Sequence, residues 1–492
     1  MGKVYIIGTG PGDEELLTLK AVKALEKCTA VLYDRLISNN VLNYLNEDCE
    51  IYYCGKEPGE HYKTQEEINE MIVKLAKKGH IVGRIKGGDP YVFGRGGEEV
   101  LTLQAENIDF EVIPGIPSPI SVLNYAGIPI THRGKAQSFH VVTGMSASVL
   151  NVNFEALAKE DGTLVFMMGL NNLHDIMGKL IEHGKDKVTP AAVIMRGTSS
   201  KQKKVVGTIN DIEEKVIEAG LKSPCIIVVG EVVTLNEYLA WYEKKPLYGW
   251  NICITRSREQ ASSLKEKLIE LGSEVTEINS IKIENTANNL EPYLSKLDKY
   301  DHILFTSVNG VNIFFDYLYR RNIDIRQIRA KVSVIGKATR KALEKRGILP
   351  FKTAREFVGE GLVSALKPSI QKGERVLIPC SSKSRELLKE ELEKLGAKVD
   401  RINIYDTVAG RVLNRNSFQE VDIILFTSPS TVNNMIEMIG LEKIKEKKAI
   451  AIGPKTLKTL KEKGLDGHMC SKHSEEGFLE EITELIKEGA KF

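Results

Sequence analysis

Residues 84–97 read RIKGGDPYVFGRGG and follow an apolar run with strand character, HIVGRI at 80–85. Gly87 and Gly88 lack a Cβ, so a ligand or a second backbone can approach closely, and positive φ is open to them. Asp89 sets a carboxylate on the loop, and Pro90 stiffens its exit. Alone, such a stretch reads equally well as a surface turn after a buried strand. The segment VYIIGTGPGDEELLTLKAVKAL at 4–25 shifts the balance. It is a strand, a Gly/Pro-rich loop and a helix with Leu17, Ala21, Ala24 and Leu25 on one face. Strand, Gly-x-Gly and helix, with Asp34 ending the next strand, also outline a dinucleotide fold, the mark of a nicotinamide-dependent oxidoreductase. The third glycine of that fingerprint would fall at Asp13, and Pro11 removes an amide that could cradle a pyrophosphate. A proline and an acid suit a ligand that carries positive charge, such as a sulfonium.

The elements needed to position these loops are those of a large α/β chain. Its 492 residues exceed one core and call for two to four domains. Hydrophobic content of 42% and charged content of 27% are ordinary for a globular protein. A net charge of +2 gives no bulk case for nucleic-acid binding. No apolar run approaches the roughly 20 residues that span a bilayer. The opening MGKVYIIGTGPGD reads into a core strand and not as a signal peptide, so a cytoplasmic protein is expected. Seven scattered cysteines, without C-x-x-C or a histidine cluster, offer no metal site.

Residues 1–240 alternate strands (3–7, 29–33, 80–85, 110–113, 138–142, 163–167, 190–195, 225–229) with helices. One helix, at 64–78, is capped by Thr64 with Glu67 in the capping-box position. IPITHRGKAQ at 128–137 reads as a basic joint between two subdomains, about 1–133 and 134–244. YEKKPLYGW at 242–250 reads as the main interdomain linker, with 249–492 beyond it. That second half is internally duplicated: 252–279 matches 376–403, LFTSVNGV (304–311) matches LFTSPSTV (425–432), and 333–348 matches 449–465. Two similar α/β lobes are expected, 249–283 plus 406–492 and 284–405, with their F-T-S and I-G turns at strand ends facing a shared cleft.

The first half resembles the uroporphyrinogen-III C-methyltransferases of the tetrapyrrole methylase family over about residues 2–240. The resemblance rests on GTGPGDEELLTLKA (8–21), LYDRL (32–36), CGK (54–56), KTQEEIN (63–69), RIKGGDPYVFGRGGEE (84–99), PGI (114–116) and AGIPITHR (126–133). The second half resembles uroporphyrinogen-III synthase over about 249–492, through its two F-T-S strand ends, IGKAT, IGPKT and IYDTV (404–408). These resemblances imply a two-subdomain methylase fold, usually a homodimer, joined to two flavodoxin-like lobes with a two-stranded connector. They imply S-adenosylmethionine as methyl donor, no metal, and the tetrapyrroles hydroxymethylbilane, uroporphyrinogen III and precorrin-2 as small-molecule partners, with neither nucleic acid nor membrane.

The family pattern places a base at Asp34 and a proton donor at Lys56. Cofactor positions fall at Pro11, Gly87, Gly88, Asp89, Val92, Met168 and Gly197. The family usually carries Thr-Ser-Ala after PGI; here Pro117 and Ser118 stand at the start, so a contact there would come from backbone. For a substrate with eight carboxylates, Arg35 and Arg133 match by motif, and Arg84, Arg95 and Arg196 lie at loops or strand ends near the cleft. In the second half, Tyr405 matches a donor to a leaving hydroxyl. Ser307, Lys337, Ser428, Lys455 and Thr456 lie on the turns that would bind substrate carboxylates. The second half read alone also fits a lobe pair that senses a tetrapyrrole without catalysis.

Overall fold

The computed structural model describes residues 2–55, 63–145, 152–255, 258–354, 359–384, 386–410 and 415–487. The described residues are α/β throughout and form four sheets of five or six strands. The chain forms two compact units, Met1–Ile278 with Val412–Phe492, and Asn279–Arg411.

In the first unit, β1 (Val4–Gly8), β2 (Ala30–Tyr33), β3 (Glu50–Tyr53), β4 (Val82–Lys86) and β5 (Phe110–Ile113) form a parallel sheet. Its order is β3-β2-β4-β1-β5. After β1 the chain moves toward one edge, and after β4 toward the other. The winding therefore reverses at the carboxyl ends of β1 and β4, where open α/β sheets hold ligands. The GTGPGD and GGDP loops leave those two ends. Helix Gln65–Lys77 covers this sheet with Ile68, Ile72, Leu75 and Ala76, one face at helical spacing. Its N-terminus carries the expected capping box of Thr64 and Glu67.

A second sheet follows: β6 (Phe139–Thr143), β7 (Thr163–Met167), β8 (Pro190–Met195), β9 (Lys203–Thr208) and β10 (Cys225–Val229), in the order β6-β7-β10-β8-β9. Only β6 and β7 run parallel. Helix Ser118–Tyr125 lies before the expected subdomain joint, yet it packs on this second sheet. Val122 and Leu123 share one core cluster with Val165, Ile194 and Val228.

The stretch expected as a linker is packed. Tyr242, Leu247 and Trp250 are 7%, 2% and 8% exposed. Tyr242 packs between Tyr125, tilted with centroids 4.8 Å apart, and Tyr248, edge-on at 5.5 Å. Aromatic rings of this kind bury large apolar areas, which anchors the stretch despite its charges.

β11 (Asn251–Ile254) and β12 (Glu274–Glu277) begin a third sheet. The chain then enters the second unit for β13 (Ile281–Asn285), β14 (His302–Phe305), β15 (Lys331–Ile335), β16 (Lys352–Ala354), β17 (Arg375–Ser381) and β18 (Lys398–Ala409). It returns with β19 (Ile423–Phe426), β20 (Lys448–Ala451) and β21 (His468–Met469). The third sheet has the order β12-β11-β19-β20-β21, the flavodoxin arrangement. The fourth, β13-β18-β17-β14-β15-β16, repeats that order with the chain permuted and one antiparallel strand added. The expected lobe limits at 283/284 and 405/406 fall inside β13 and β18. Those strands pair from Ile281↔Ala409 to Asn285↔Tyr405, so both stay with the second unit.

Candidate active sites

Three loops meet above the first sheet. Gly10 and Gly88 exchange backbone hydrogen bonds of 3.2 and 2.6 Å. A Cβ on Gly8 would lie 2.5 Å from the Gly115 amide nitrogen, and one on Gly115 would strike the Gly88 carbonyl. Those glycines permit contact. Gly88 serves the turn itself: its φ is 68°, and a Cβ there would make only an ordinary contact with the Ser118 nitrogen at 3.8 Å. Asp89 fixes the arrangement by accepting from the Tyr91 amide at 2.8 Å and the Gly115 amide at 3.2 Å. The Val92 amide closes the turn on the Asp89 carbonyl. Pro117 caps the helix that Ser118 begins.

The second sheet adds two strained strand ends. Met168, at the end of β7, has φ 57° and is 45% exposed. Arg196 and Thr198 flank Gly197 with φ 49° and 68°. Non-glycine residues in this region cost about 1–3 kcal/mol, and such outliers concentrate at ligand sites. Gly197 lies against Val122, where any side chain would collide. Thr198 Oγ1 accepts from the Asp13 amide at 3.3 Å. Pro11, Gly87, Gly88, Asp89, Pro117, Ser118 and Gly197 are thus gathered on interlocking loops. Asp13 is a structural acid: its oxygens accept from the Glu15 amide at 2.9 Å and the Tyr125 hydroxyl at 2.7 Å. It caps a single 3-10 turn, Glu14–Leu16, and not the long helix of a dinucleotide site.

Behind the loops lies a charge cluster that the sequence reading did not single out. β4 is buried at every position although it contains Arg84 and Lys86. These residues, two apart, share one face. Both reach Glu99 Oε1, at 2.9 and 3.0 Å, and Gln65 joins it at 3.2 Å. The Arg84 guanidinium also stands 3.5 Å from Asp34 Oδ2, while the Leu36 amide donates to Asp34 Oδ1 at 3.0 Å. Burial works to lower the Arg84 pKa, but Glu99 and Asp34 outweigh it and raise the value. Burial and the adjacent Arg84 push the Lys86 ammonium down. Removing Glu99 would take from buried Lys86 its contacting carboxylate and leave Arg84 with the longer contact to Asp34, a change that costs about 3–5 kcal/mol. Arg84 is therefore committed inside the protein and does not face a substrate.

Two other arginines are paired nearer the surface, Arg95 with Glu98 at 2.7 Å and Arg196 with Glu420 at 2.5 Å. Arg35 and Arg133 are exposed on loops. Lys56 lies outside the described residues. The Cys54 amide, two residues before it, donates to the Tyr33 carbonyl at 2.7 Å, one residue from Asp34.

In the second unit, Ser307 caps helix Val308–Arg320 by accepting from the Gly310 amide at 3.0 Å. Its Oγ also lies 2.8 Å from the Tyr405 hydroxyl. Tyr405 is 5% exposed, and burial raises its pKa against the opposing hydrogen bond from Ser307. Lys337 is exposed at the start of helix Lys337–Glu344. In the first unit, Ser428 caps helix Pro429–Ile439 by accepting from the Thr431 amide at 3.3 Å. Lys455 is exposed; Thr456 is only 3% exposed, like Thr339 at the matching place in the other repeat at 4%. Packing thus holds Thr456, expected at a substrate carboxylate.

The family described as tetrapyrrole (corrin/porphyrin) methylases matches residues 3–213, and that described as uroporphyrinogen-III synthase HemD matches residues 262–480. The porphyrin biosynthesis protein HemD of Ruminiclostridium josui is 36% identical, covering 98% of both chains. This chain belongs to the tetrapyrrole methylases in its first half and to the uroporphyrinogen-III synthases in its second. A uroporphyrinogen-III C-methyltransferase of Bacillus subtilis is 41% identical over 71% of this chain and 72% of that protein. A uroporphyrin-III C-methyl transferase of Thermus thermophilus, solved with S-adenyl homocysteine, is 38% identical over 48% of this chain and all of its own, with a TM-score of 0.42. The protein is a bifunctional enzyme of tetrapyrrole biosynthesis, and the oxidoreductase and sensor readings fall away. No described helix is long and apolar enough to cross a membrane.

Proposed function

We propose that the synthase half closes hydroxymethylbilane to uroporphyrinogen III, and that the methylase half then methylates C2 and C7 to give precorrin-2. The observation that carries this reading is the convergence of the β1 and β4 loops at the winding reversal, where Gly10 and Gly88 exchange hydrogen bonds and Asp89 holds the Gly115 amide. S-adenosylmethionine supplies an electrophilic methyl group on a sulfonium. Pro11, Gly87, Gly88, Asp89, Val92, Pro117, Ser118, Met168 and Gly197 would hold it, largely through backbone. The loops suit it: Pro11 offers no amide, as a ligand without phosphate requires.

The pyrrole carbon is electron-rich, so positioning supplies much of the rate. Asp34 takes the pyrrole N–H proton and Lys56 returns a proton during rearrangement. Arg35 and Arg133 bind substrate carboxylates. In the synthase half, Tyr405 donates its proton to the departing hydroxyl, which leaves as water. Ser307 orients the Tyr405 O–H, and the raised pKa keeps that proton in place for donation. Lys337, Ser428 and Lys455 bind carboxylates of the linear substrate. The methylase half pairs with a second copy, and the enzyme works in the cytoplasm, where its seven unpaired thiols stay reduced.

Calorimetry with S-adenosylhomocysteine tests the cofactor site. Low-micromolar binding, about 7–8 kcal/mol, is expected. Asp89→Ala should abolish methylation of supplied uroporphyrinogen III and leave ring closure intact; unchanged methylation overturns the site.

A further inference from the structure

The synthase half grips both loop systems of the proposed cofactor site from behind. Lys265, on helix Arg258–Glu270, bridges Glu14 of the methylase half and Glu277 of β12. The three side chains are 16%, 7% and 2% exposed. Glu14 follows directly on the GTGPGD loop. Burial raises its pKa, opposed chiefly by Lys265, so the ammonium is what makes this carboxylate tolerable there. Nearby, the Asn40 side chain donates to the Val275 carbonyl at 2.5 Å and accepts from the Glu277 amide at 3.4 Å. Asn40 is 8% exposed.

The loop that begins at Arg196 is held in the same way. Arg196 pairs with Glu420 at 2.5 Å, Ser200 donates to Glu274 at 3.0 Å, and Lys201 donates to Asp422 at 2.8 Å. Between these anchors, Thr198 touches the Asp13 amide, which joins the two loop systems to each other. All these residues belong to one compact unit, Met1–Ile278 with Val412–Phe492.

We infer that Lys265, with Asn40 and the 196–201 loop, positions the methyl-donor site, so that this synthase lobe is a working part of the methylase. The inference rests on the proposed cofactor reading. A loop that must hold left-handed Arg196 and Thr198 spends part of its time relaxed unless something outside pins it. The binding-competent fraction then sets the apparent affinity. Because coupling is reciprocal, a bound cofactor should also tighten the lobe.

The test uses the full-length chain. Lys265→Met removes the bridge, and Lys265→Arg keeps the charge. S-adenosylhomocysteine binding is measured by calorimetry, with KM and kcat for methylation and the rate of ring closure alongside. Lys265→Met should weaken binding and raise the KM for S-adenosylmethionine about tenfold, with kcat changed less than about twofold. Lys265→Arg should restore most of the affinity. Hydrogen exchange supplies a second readout: saturating S-adenosylhomocysteine should slow exchange across Glu274–Glu277 of the wild-type protein. Should Lys265→Met not fold, Ser200→Ala with Lys201→Ala at the milder contact should still weaken binding about threefold. Wild-type binding with unchanged affinity in the variants overturns this inference alone. A wild-type protein that fails to bind overturns the cofactor reading, and the inference with it.

Discussion

The first and fourth sheets carry their candidate sites at the same topological place and secure them differently. At β1 and β4 the loops are locked by paired glycine backbones, by Asp89, and by the buried Arg84–Glu99–Lys86 cluster. At the end of β14 the arrangement reduces to one serine cap and one hydroxyl pair, Ser307 with Tyr405. The third sheet repeats that cap at Ser428, but its hydroxyl stays on its own helix, 2.8 Å from Ser430. Running the match of 252–279 with 376–403 two residues further sets Ile281 opposite Tyr405, and isoleucine has no proton to give. Duplication therefore preserved the turn in both copies, and a chemical partner stands at one. The methylase site, built from mutually dependent parts, should be brittle. The synthase site, with few engaged side chains, should be tolerant.

The largest effect should come from the brittle side. Asp34→Asn should lower methylation kcat by about 10²–10⁴-fold while S-adenosylhomocysteine affinity and ring closure hold, as expected for a group used in the transition state. A loss below about threefold would make Asp34 a loop-shaping residue and weaken the contrast. On the tolerant side, Tyr405→Phe should slow ring closure only about tenfold, or ~1.4 kcal/mol of barrier. A loss as deep as that of Asp34→Asn would erase the difference between the halves.

The two serine caps sharpen the comparison within the duplicated half. Ser307→Ala and Ser428→Ala should each cost about 1 kcal/mol of stability in urea titrations. Only Ser307→Ala should lower kcat for ring closure, by a few-fold through Tyr405; Ser428→Ala should act on KM. Equal kcat effects would show that the repeats remain equivalent.

The smallest effect is one of pH. His302 opens β14 fully buried, with its Nε2 3.4 Å from a Glu374 carboxylate oxygen. Burial lowers its pKa below the ordinary 6.5, with Lys331 assisting and Glu374 opposing. Its contribution to stability is therefore complete above about pH 6.5 and falls as the pH drops toward the depressed value, because the unfolded chain takes up the proton first. Thermal unfolding between pH 7.5 and 5.5 should show a modest acid loss that His302→Phe reduces. An identical pH profile in that variant would remove His302 from the account.

Much of the architecture was legible because strands such as AVLY and CIIVV are apolar runs between turn residues, and because Thr64 and Glu67 announce their helix. β3 and β9 escaped notice: EIYY and KKVVGT are short and polar enough to read as loops. The 242–250 stretch lies between the two family matches, and its charges do not announce that Tyr242, Leu247 and Trp250 are buried. At the sites, glycine loops show in sequence because their spacing is local. The Arg84–Lys86–Glu99 cluster does not, because a charged residue in a strand looks exposed until its partner arrives from a helix elsewhere. Asp13 misled for the same reason, its partner Tyr125 lying more than a hundred positions away.

The most direct test of the central claim is a single reaction. Hydroxymethylbilane and S-adenosylmethionine are given to the purified full-length protein under reducing conditions, and the product is read by mass and absorbance. The account predicts a cyclic type III tetrapyrrole carrying two added methyl groups. Uroporphyrinogen of the symmetric type I, or a type III ring that stays unmethylated while S-adenosylmethionine is in excess, would contradict it.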